Sequence, residues 1–255
     1  MTTGNKVVPT STVLQARVLL FQASQRPRYR QGNWVQTTYG RCRVTGQLGQ
    51  RHADVLESMM YVAERRRDTD DGCVELLVDP AELRRNLSDS QYSYEGIQDL
   101  IAGLRGAVIE IVTPEMEQTG DRIIGGLIDY SIPSPMTRPD PLTHGGERHL
   151  WRVRIGMGLI MLLNRDLHLH YKPAPIARLQ HGISQAVARH ILTHRNDPAG
   201  GWHIDTVLRA VCGEDASSST MRNGRHRLKQ DTEGLEALGI MLTADKRIKR
   251  HAGGQ

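Results

Sequence analysis

The chain has 255 residues, a formal net charge of +5 and an isoelectric point near 9.3. That length allows one or two domains with separate cores, and the basic balance suits a polyanionic partner. A single Phe among few aromatics argues against a base-stacking platform for single strands, and leaves the cores to Leu, Ile, Val and Met.

Residues 1–12 are expected to be disordered and 13–22 to form a short helix, followed by the basic run Arg26-Pro-Arg-Tyr-Arg30. The β-branched alternation of 34–39 and 42–45, broken at Gly40, predicts a hairpin. Residues 51–67 place Val55, Leu56, Met59, Met60, Val62 and Ala63 on one helical face. A turn at 68–72 and a strand at 74–78 follow. Asp79-Pro80 then opens a helix ending near Ser88, with Asp as N-cap and Pro at the first helical position. Ser93 caps the next helix, which repeats apolar residues at Ile97, Leu100, Ile101 and Leu104. Strands are expected at 108–112 and 123–132, then a Pro/Gly-rich loop over 134–149. The strand-like 151–155 could pair back with 123–132.

That order is helix, strand, helix, helix, strands, and it recurs. A helix is expected from about 182 to 195, a second over 203–212 and a third from Ser217, followed by short strands at 240–243 and 247–250 around Ala244-Asp245. The fold class read from this is α+β, two tandem winged-helix units, each a helix-turn-helix with a β-hairpin wing. The boundaries are 1–22 for the N-terminal segment, 23–156 for the first unit with its long loop 134–149, and 157–255 for the second.

Charge is concentrated at the end of the chain. Residues 79–130 are rich in Glu and Asp, whereas 217–251 hold eight Lys or Arg. In the third helix of the second unit Met221, Leu228 and Leu235 repeat every seven residues, while Arg222, Arg225, His226 and Lys229 gather beside that apolar face. With Ser219 and Asn223 they make the expected reader of a DNA major groove. Lys246, Arg247, Lys249 and Arg250 on the wing are expected to lie along phosphates. The helix preceding the first hairpin presents Glu95 and Asp99, which points to pairing or loose backbone contact for the first unit.

Catalytic signatures are weak. His168-Leu-His170-Tyr171 has the form of the metal site of nicking replication enzymes, in which a Tyr hydroxyl attacks a metal-polarised phosphate. No Tyr follows Tyr171, which a strand would point away from both His, and no third ligand is evident. Glu75, Glu110 and Asp129 read as solvent-facing strand residues, and the other His as loop and helix-face residues without ligand spacing. There is no phosphate loop and no G-x-S-x-G. Cys42, Cys73 and Cys212 form no C-x-x-C pair, which disfavours structural zinc and fits a reducing compartment. The apolar run 18–21 is too short to span a bilayer. The expectation is a cytoplasmic protein with no catalytic site, no metal and no cofactor.

Residues 167–241 resemble the TrfA-type initiators of broad-host-range plasmid replication, within the iteron-binding Rep proteins. The resemblance rests on Tyr171-Lys172, Ile183-Ser-Gln-Ala-Val-Ala-Arg-His-Ile-Leu192, Ile204-Asp-Thr-Val-Leu-Arg-Ala-Val-Cys-Gly-Glu-Asp215 and Leu235-Glu-Ala-Leu-Gly-Ile240. It reaches the first half more loosely, through the strand near 34–39, Val78-Asp-Pro-Ala-Glu-Leu83 and the Tyr92–Tyr94 region. The resemblance implies two winged helices, binding to direct repeats in a plasmid origin, opening of a nearby AT-rich segment, and recruitment of host DnaA and the replicative helicase. It also implies a bacterial cytoplasmic setting, a dimer when free, one chain per repeat on DNA, and Arg222, Asn223, Arg225, His226 and Lys229 as groove readers. A winged-helix repressor uses the same residues and stands as the alternative, with a nicking initiator using His168 and His170 third.

Overall fold

The computed structural model describes residues 9–88, 92–140 and 145–251. Its first elements are β1 (Ser11–Thr12) and α1 (Val13–Arg17), where Thr12 and Gln15 form a reciprocal capping box. Of the segment expected to be disordered, residues 1–8 lie outside the described residues. Ser11 and Thr12 are ordered because they pair with Leu169 and His168. The helix expected to reach residue 22 stops at Arg17. Val18, Leu19, Leu20 and Phe21 are all buried, so this stretch has no polar helical face to turn to water.

Next come β2 (Arg30–Thr37), β3 (Gly40–Gly46), α2 (Gln50–Val62), β4 (Arg65–Asp68), β5 (Val74–Val78), α3 (Pro80–Leu87) and α4 (Tyr94–Gly106). They are followed by β6 (Val108–Val112), α5 (Pro114–Thr119), β7 (Ile123–Gly125), β8 (Ile128–Pro139), β9 (Glu147–Ile155) and α6 (Met157–Arg165). The predicted caps are present: Asp79 accepts from the Ala81 amide at 2.9 Å and Ser93 from the Gly96 amide at 3.0 Å.

Pairing separates these strands into two sheets, β2-β3-β6-β7 and β4-β5-β9-β8. The strand at 108–112 pairs with β7 at the start of the expected strand 123–132, Ile111 opposite Ile123, and its other edge lies beside β3 with Cys42 opposite Ile111. Gly40 permits that approach: its φ is +133° and a Cβ there would lie 2.5 Å from the Val112 carbonyl. The long hairpin is β8 with β9, so most of the expected loop 134–149 is strand; residues 141–144 lie outside the described residues. The helix expected to run to Arg67 ends at Val62, and Arg65–Asp68 becomes an exposed edge strand on β5. Helix α6, placed by the sequence with the second unit, buries Leu159, Ile160, Leu162 and Leu163 in the first core.

The second core is built by α7 (Ala174–Ala177), α8 (Gly182–Leu192), β11 (Trp202–His203), α9 (Ile204–Cys212), α10 (Ser218–Gln230), α11 (Thr232–Ala237), β12 (Ile240–Leu242) and β13 (Arg247–Arg250). It is reached through β10 (His168–Leu169), the partner of β1. Its sheet order is β11-β13-β12. The first unit repeats the scheme: α2, β5, α3, α4, β8, β9 in sequence and β5-β9-β8 in the sheet. The architecture is thus α+β, with one topological motif used twice.

A buried polar node joins the two cores. Arg189 on α8 is 4% exposed, and it donates to Gln50 Oε1 at 2.8 Å, Asp54 Oδ1 at 2.7 Å and Glu57 Oε2 at 2.7 Å, all on α2. Asp54 also accepts from the Tyr92 hydroxyl at 2.6 Å and Gln185 Nε2 at 3.0 Å. The two adjacent carboxylates raise the Arg189 pKa well above its ordinary value in spite of its burial. Arg17 adds a tie from α1 to the end of α8, donating to the Thr193 hydroxyl at 2.8 Å and carbonyl at 3.1 Å.

Candidate nucleic-acid interface

Helix α10 starts where Ser217 Oγ accepts from the Thr220 amide at 3.2 Å. Its first turn holds no carboxylate, so the positive end of the helix is left uncompensated. Met221, Gly224 and Leu228 form the buried face. Gly224 sets the seat of the helix, because a Cβ there would lie 2.8 Å from Ile183 Cδ1 and 3.0 Å from Leu208 Cδ2. At the far end Asp231 is buried and accepts from the backbone amides of Gln180 at 2.9 Å and His181 at 3.1 Å, and from His181 Nδ1 at 3.0 Å. The helix is therefore fixed on α8 and α9 and pinned at its C-terminus.

The opposite face is open. Ser219, Arg222, Asn223, His226, Lys229 and Gln230 are exposed, as is Arg227. Sequence reasoning passed over Arg227, although it follows Asn223 by one helical turn. Arg225 departs from the expected stripe. It sits on the flank toward α9, where Nη1 meets Asp205 Oδ1 at 2.5 Å, so its charge is already partnered.

The β12–β13 hairpin divides its four cations into two pairs. Arg247 donates to the Gly201 carbonyl at 3.1 Å and faces Asp245 at 3.5 Å. Arg250 donates to Asp197 Oδ1 at 2.5 Å and the His194 carbonyl at 2.6 Å, with its guanidinium 5.7 Å from the Trp202 ring centre. Both fasten the hairpin to the 194–202 segment. Lys246 and Lys249 make no ion pair among the described residues. Lys246 stands at the tip with φ +61°, a left-handed conformation that closes the turn through its amide to the Thr243 carbonyl at 3.1 Å. In the first unit, α4 shows solvent Glu95, Gln98, Asp99 and Arg105, a mixed face without the cationic bias of α10.

Several residues weighed for chemistry have structural partners. Glu75 and Glu110 are buried rather than solvent-facing. Glu110 is held between Arg43 and Arg122, and Glu75 accepts from the Tyr130 hydroxyl. His168 Nε2 lies 2.6 Å from the Leu163 carbonyl, and the His168 and His170 rings are 6.4 Å apart. Tyr171 turns toward Glu57; burial, with that carboxylate beside it, raises its pKa well above the ordinary phenol value. His190 and His194, read as unpaired, occupy successive turns with Nε2 atoms 3.3 Å apart, and His194 packs on Trp202 at 5.2 Å. Burial holds them down, to about 3 for His190 and about 4 for His194. Among the described residues no three His, Cys, Asp or Glu are placed to hold a metal. Burial likewise pushes the Cys42 thiol up to about 12 and Cys212 to about 11, so neither is primed as a nucleophile. No helix among the described residues is long and apolar enough to cross a membrane.

No protein-family model matches the sequence, and no curated protein matches it. Solved structures that share its fold include two of RctB. One is a crystal structure of selenomethionine derivatives of domains 2 and 3 of RctB, 11% identical over 96% of this chain and 95% of that chain, with a TM-score of 0.58. The other, also of RctB domains 2–3, is 12% identical over 88% of this chain and 83% of that chain, with a TM-score of 0.52.

Proposed function

We propose that this protein is a DNA-binding replication initiator of the plasmid type, which binds direct repeats in double-stranded origin DNA. The observation that carries the reading is the outward face of α10: Ser219, Arg222, Asn223, His226, Lys229 and Gln230 are exposed on a helix fixed by Met221, Gly224 and Leu228. Bidentate or amide donors on a rigid helix can pair with base edges in a major groove. We read 182–250 as a winged helix, since its element order and its β11-β13-β12 sheet suit that motif, and the first unit as a second copy. Lys246 and Lys249 supply the phosphate contacts of the wing. RctB is a replication initiator, and the likeness to its domains 2–3 extends over nearly the whole chain, which supports initiation over other DNA transactions.

On this reading the protein performs no covalent chemistry. It opens the origin by binding, with DnaA and the replicative helicase as partners, and is a dimer when free. Footprinting on the DNA flanking its gene tests this: protection should recur at short direct repeats beside an AT-rich stretch. Uniform protection with no preferred sites would reject it. Supercoiled plasmid carrying that DNA should stay unnicked in magnesium, and nicking lost with His168→Ala would replace the reading with an enzymatic one.

A further inference from the structure

The basic run 26–30 is not used by the reader helix or the wing, yet its backbone is held by several side-chain hydrogen bonds. Gln22 spans it, donating from Nε2 to the Arg28 carbonyl at 2.6 Å while its Oε1 accepts from the Arg28 amide at 3.2 Å. Ser24 Oγ bonds the Arg26 carbonyl at 3.0 Å, and Gln47 Nε2 bonds the Pro27 carbonyl at 2.6 Å. Arg30 turns inward to the Leu19 carbonyl at 2.7 Å, and Pro27 is buried. Arg26, Arg28 and Tyr29 turn outward. Tyr29 is 64% exposed, and neither Arg26 nor Arg28 forms an ion pair among the described residues.

The loop also lies on the seam between the two units. On one side Pro27 and the Ser24 carbonyl press on Gly49, at the start of α2, where a Cβ would lie 2.8 Å and 2.5 Å from them. On the other, Ser24 and Gln25 press on Gly182, at the start of α8, with a hypothetical Cβ 2.6 Å from the Gln25 amide nitrogen. Gln25 Nε2 reaches the Leu179 carbonyl at 3.4 Å. The next residue, Gln180, is bonded to Asp231 at the end of α10. Exposed Arg178 lines a cavity of about 400 Å³ there, together with Gln180 and Gln230. Among the described residues Arg178 is the one cation lining that cavity, whose wall also includes Asp231 and exposed Glu233.

We infer that Arg26 and Arg28, with the Tyr29 hydroxyl, grip the phosphodiester backbone of the same duplex where it passes between the two units. This rests on the DNA-binding reading of α10. Two unpaired guanidinium groups on a loop whose backbone is already fixed lose little freedom on binding phosphate, and Arg presents a fork that matches phosphate oxygens. Such contacts hold a duplex in register without reading it.

The probe is a random-sequence duplex of roughly 20 base pairs, two helical turns. Arg26→Ala/Arg28→Ala should lower the slope of log affinity against log salt by about 1.8, or roughly 0.9 per lost phosphate contact. Between roughly 50 and 200 mM salt the variant should therefore lose about tenfold less affinity than the wild type. Arg26→Lys/Arg28→Lys should restore the slope, and the melting midpoint should match the wild type. If Ala lowers the midpoint, Arg26→Gln/Arg28→Gln takes its place. A slope equal to the wild type's in a folded variant overturns the inference while leaving the α10 reading intact. A wild type that binds no duplex overturns both.

Discussion

Arg189→Met tests what joins the two cores. The substitution keeps the length and apolar stem but removes the guanidinium donors to Gln50, Asp54 and Glu57. Asp54 is 0% exposed and Glu57 2%, so two carboxylates are left side by side with no cation and little water. Breaking a buried ion pair from one side costs about 3–5 kcal/mol, most of it from the uncompensated charge rather than from the lost bonds. Tyr92 and Gln185 still donate to Asp54, and Tyr171 still faces Glu57, which places the expected loss near about 3 kcal/mol, the lower end of that range. Urea unfolding followed by circular dichroism measures it. Because the node ties α8 to α2, the variant should also separate a single unfolding step into two, one per core. Adding Glu57→Gln should recover part of the loss, a coupling that a double-mutant cycle reads directly. A loss under about 1 kcal/mol, or a Glu57→Gln effect that simply adds, would show that the node does not hold the cores together.

Arg222→Ala should weaken binding to the preferred repeat by about 1–3 kcal/mol and compress the affinity ratio against random duplex; an unchanged ratio in fluorescence anisotropy would remove α10 as the reader. Lys249→Ala should leave that ratio alone and lower the salt slope by roughly 0.9, whereas Arg250→Ala should act on stability, freeing the hairpin from Asp197 and from the His194 carbonyl. A thermal melt of Arg250→Ala that matches the wild type would contradict its structural role. Buried His190 and half-buried His194 stay neutral in the folded state, to about pH 3 and 4, while in the unfolded chain they take up protons below their ordinary 6.5. Their contribution is therefore fully present above about pH 6.5 and is lost as pH falls toward 4; His190→Asn should flatten that part of the stability profile, and an unaltered profile would refute the assignment.

Residues close in sequence fixed much of the local structure. The apolar repeats of α2, α4, α9 and α10, the caps Asp79, Ser93 and Ser217, and the turn at Ala244-Asp245 all depend on bonds spanning a few residues, so spacing reveals them. The polar face of α10 was legible for the same reason: one helix wheel places Arg222, Asn223, His226 and Lys229 together. Partners distant in the chain were not legible. Nothing local says that β6 joins β3 or that a Pro/Gly-rich stretch can extend a hairpin. Likewise, Arg225, Arg247 and Arg250 carry the same charge as Arg222 and Lys249, and only folding brings Asp205, Gly201 and Asp197 against them. Glu110 and Glu75 were misplaced because a strand residue's face is set by the sheet it enters, and a carboxylate can be buried once cations or hydroxyls close over it. The sequence by itself determined most of the helices and where charge concentrates, because caps and apolar spacing act over a few residues; the tertiary structure decided which stretches extend as strands and which cations meet a carboxylate or carbonyl of the same chain, because those partners come from distant segments.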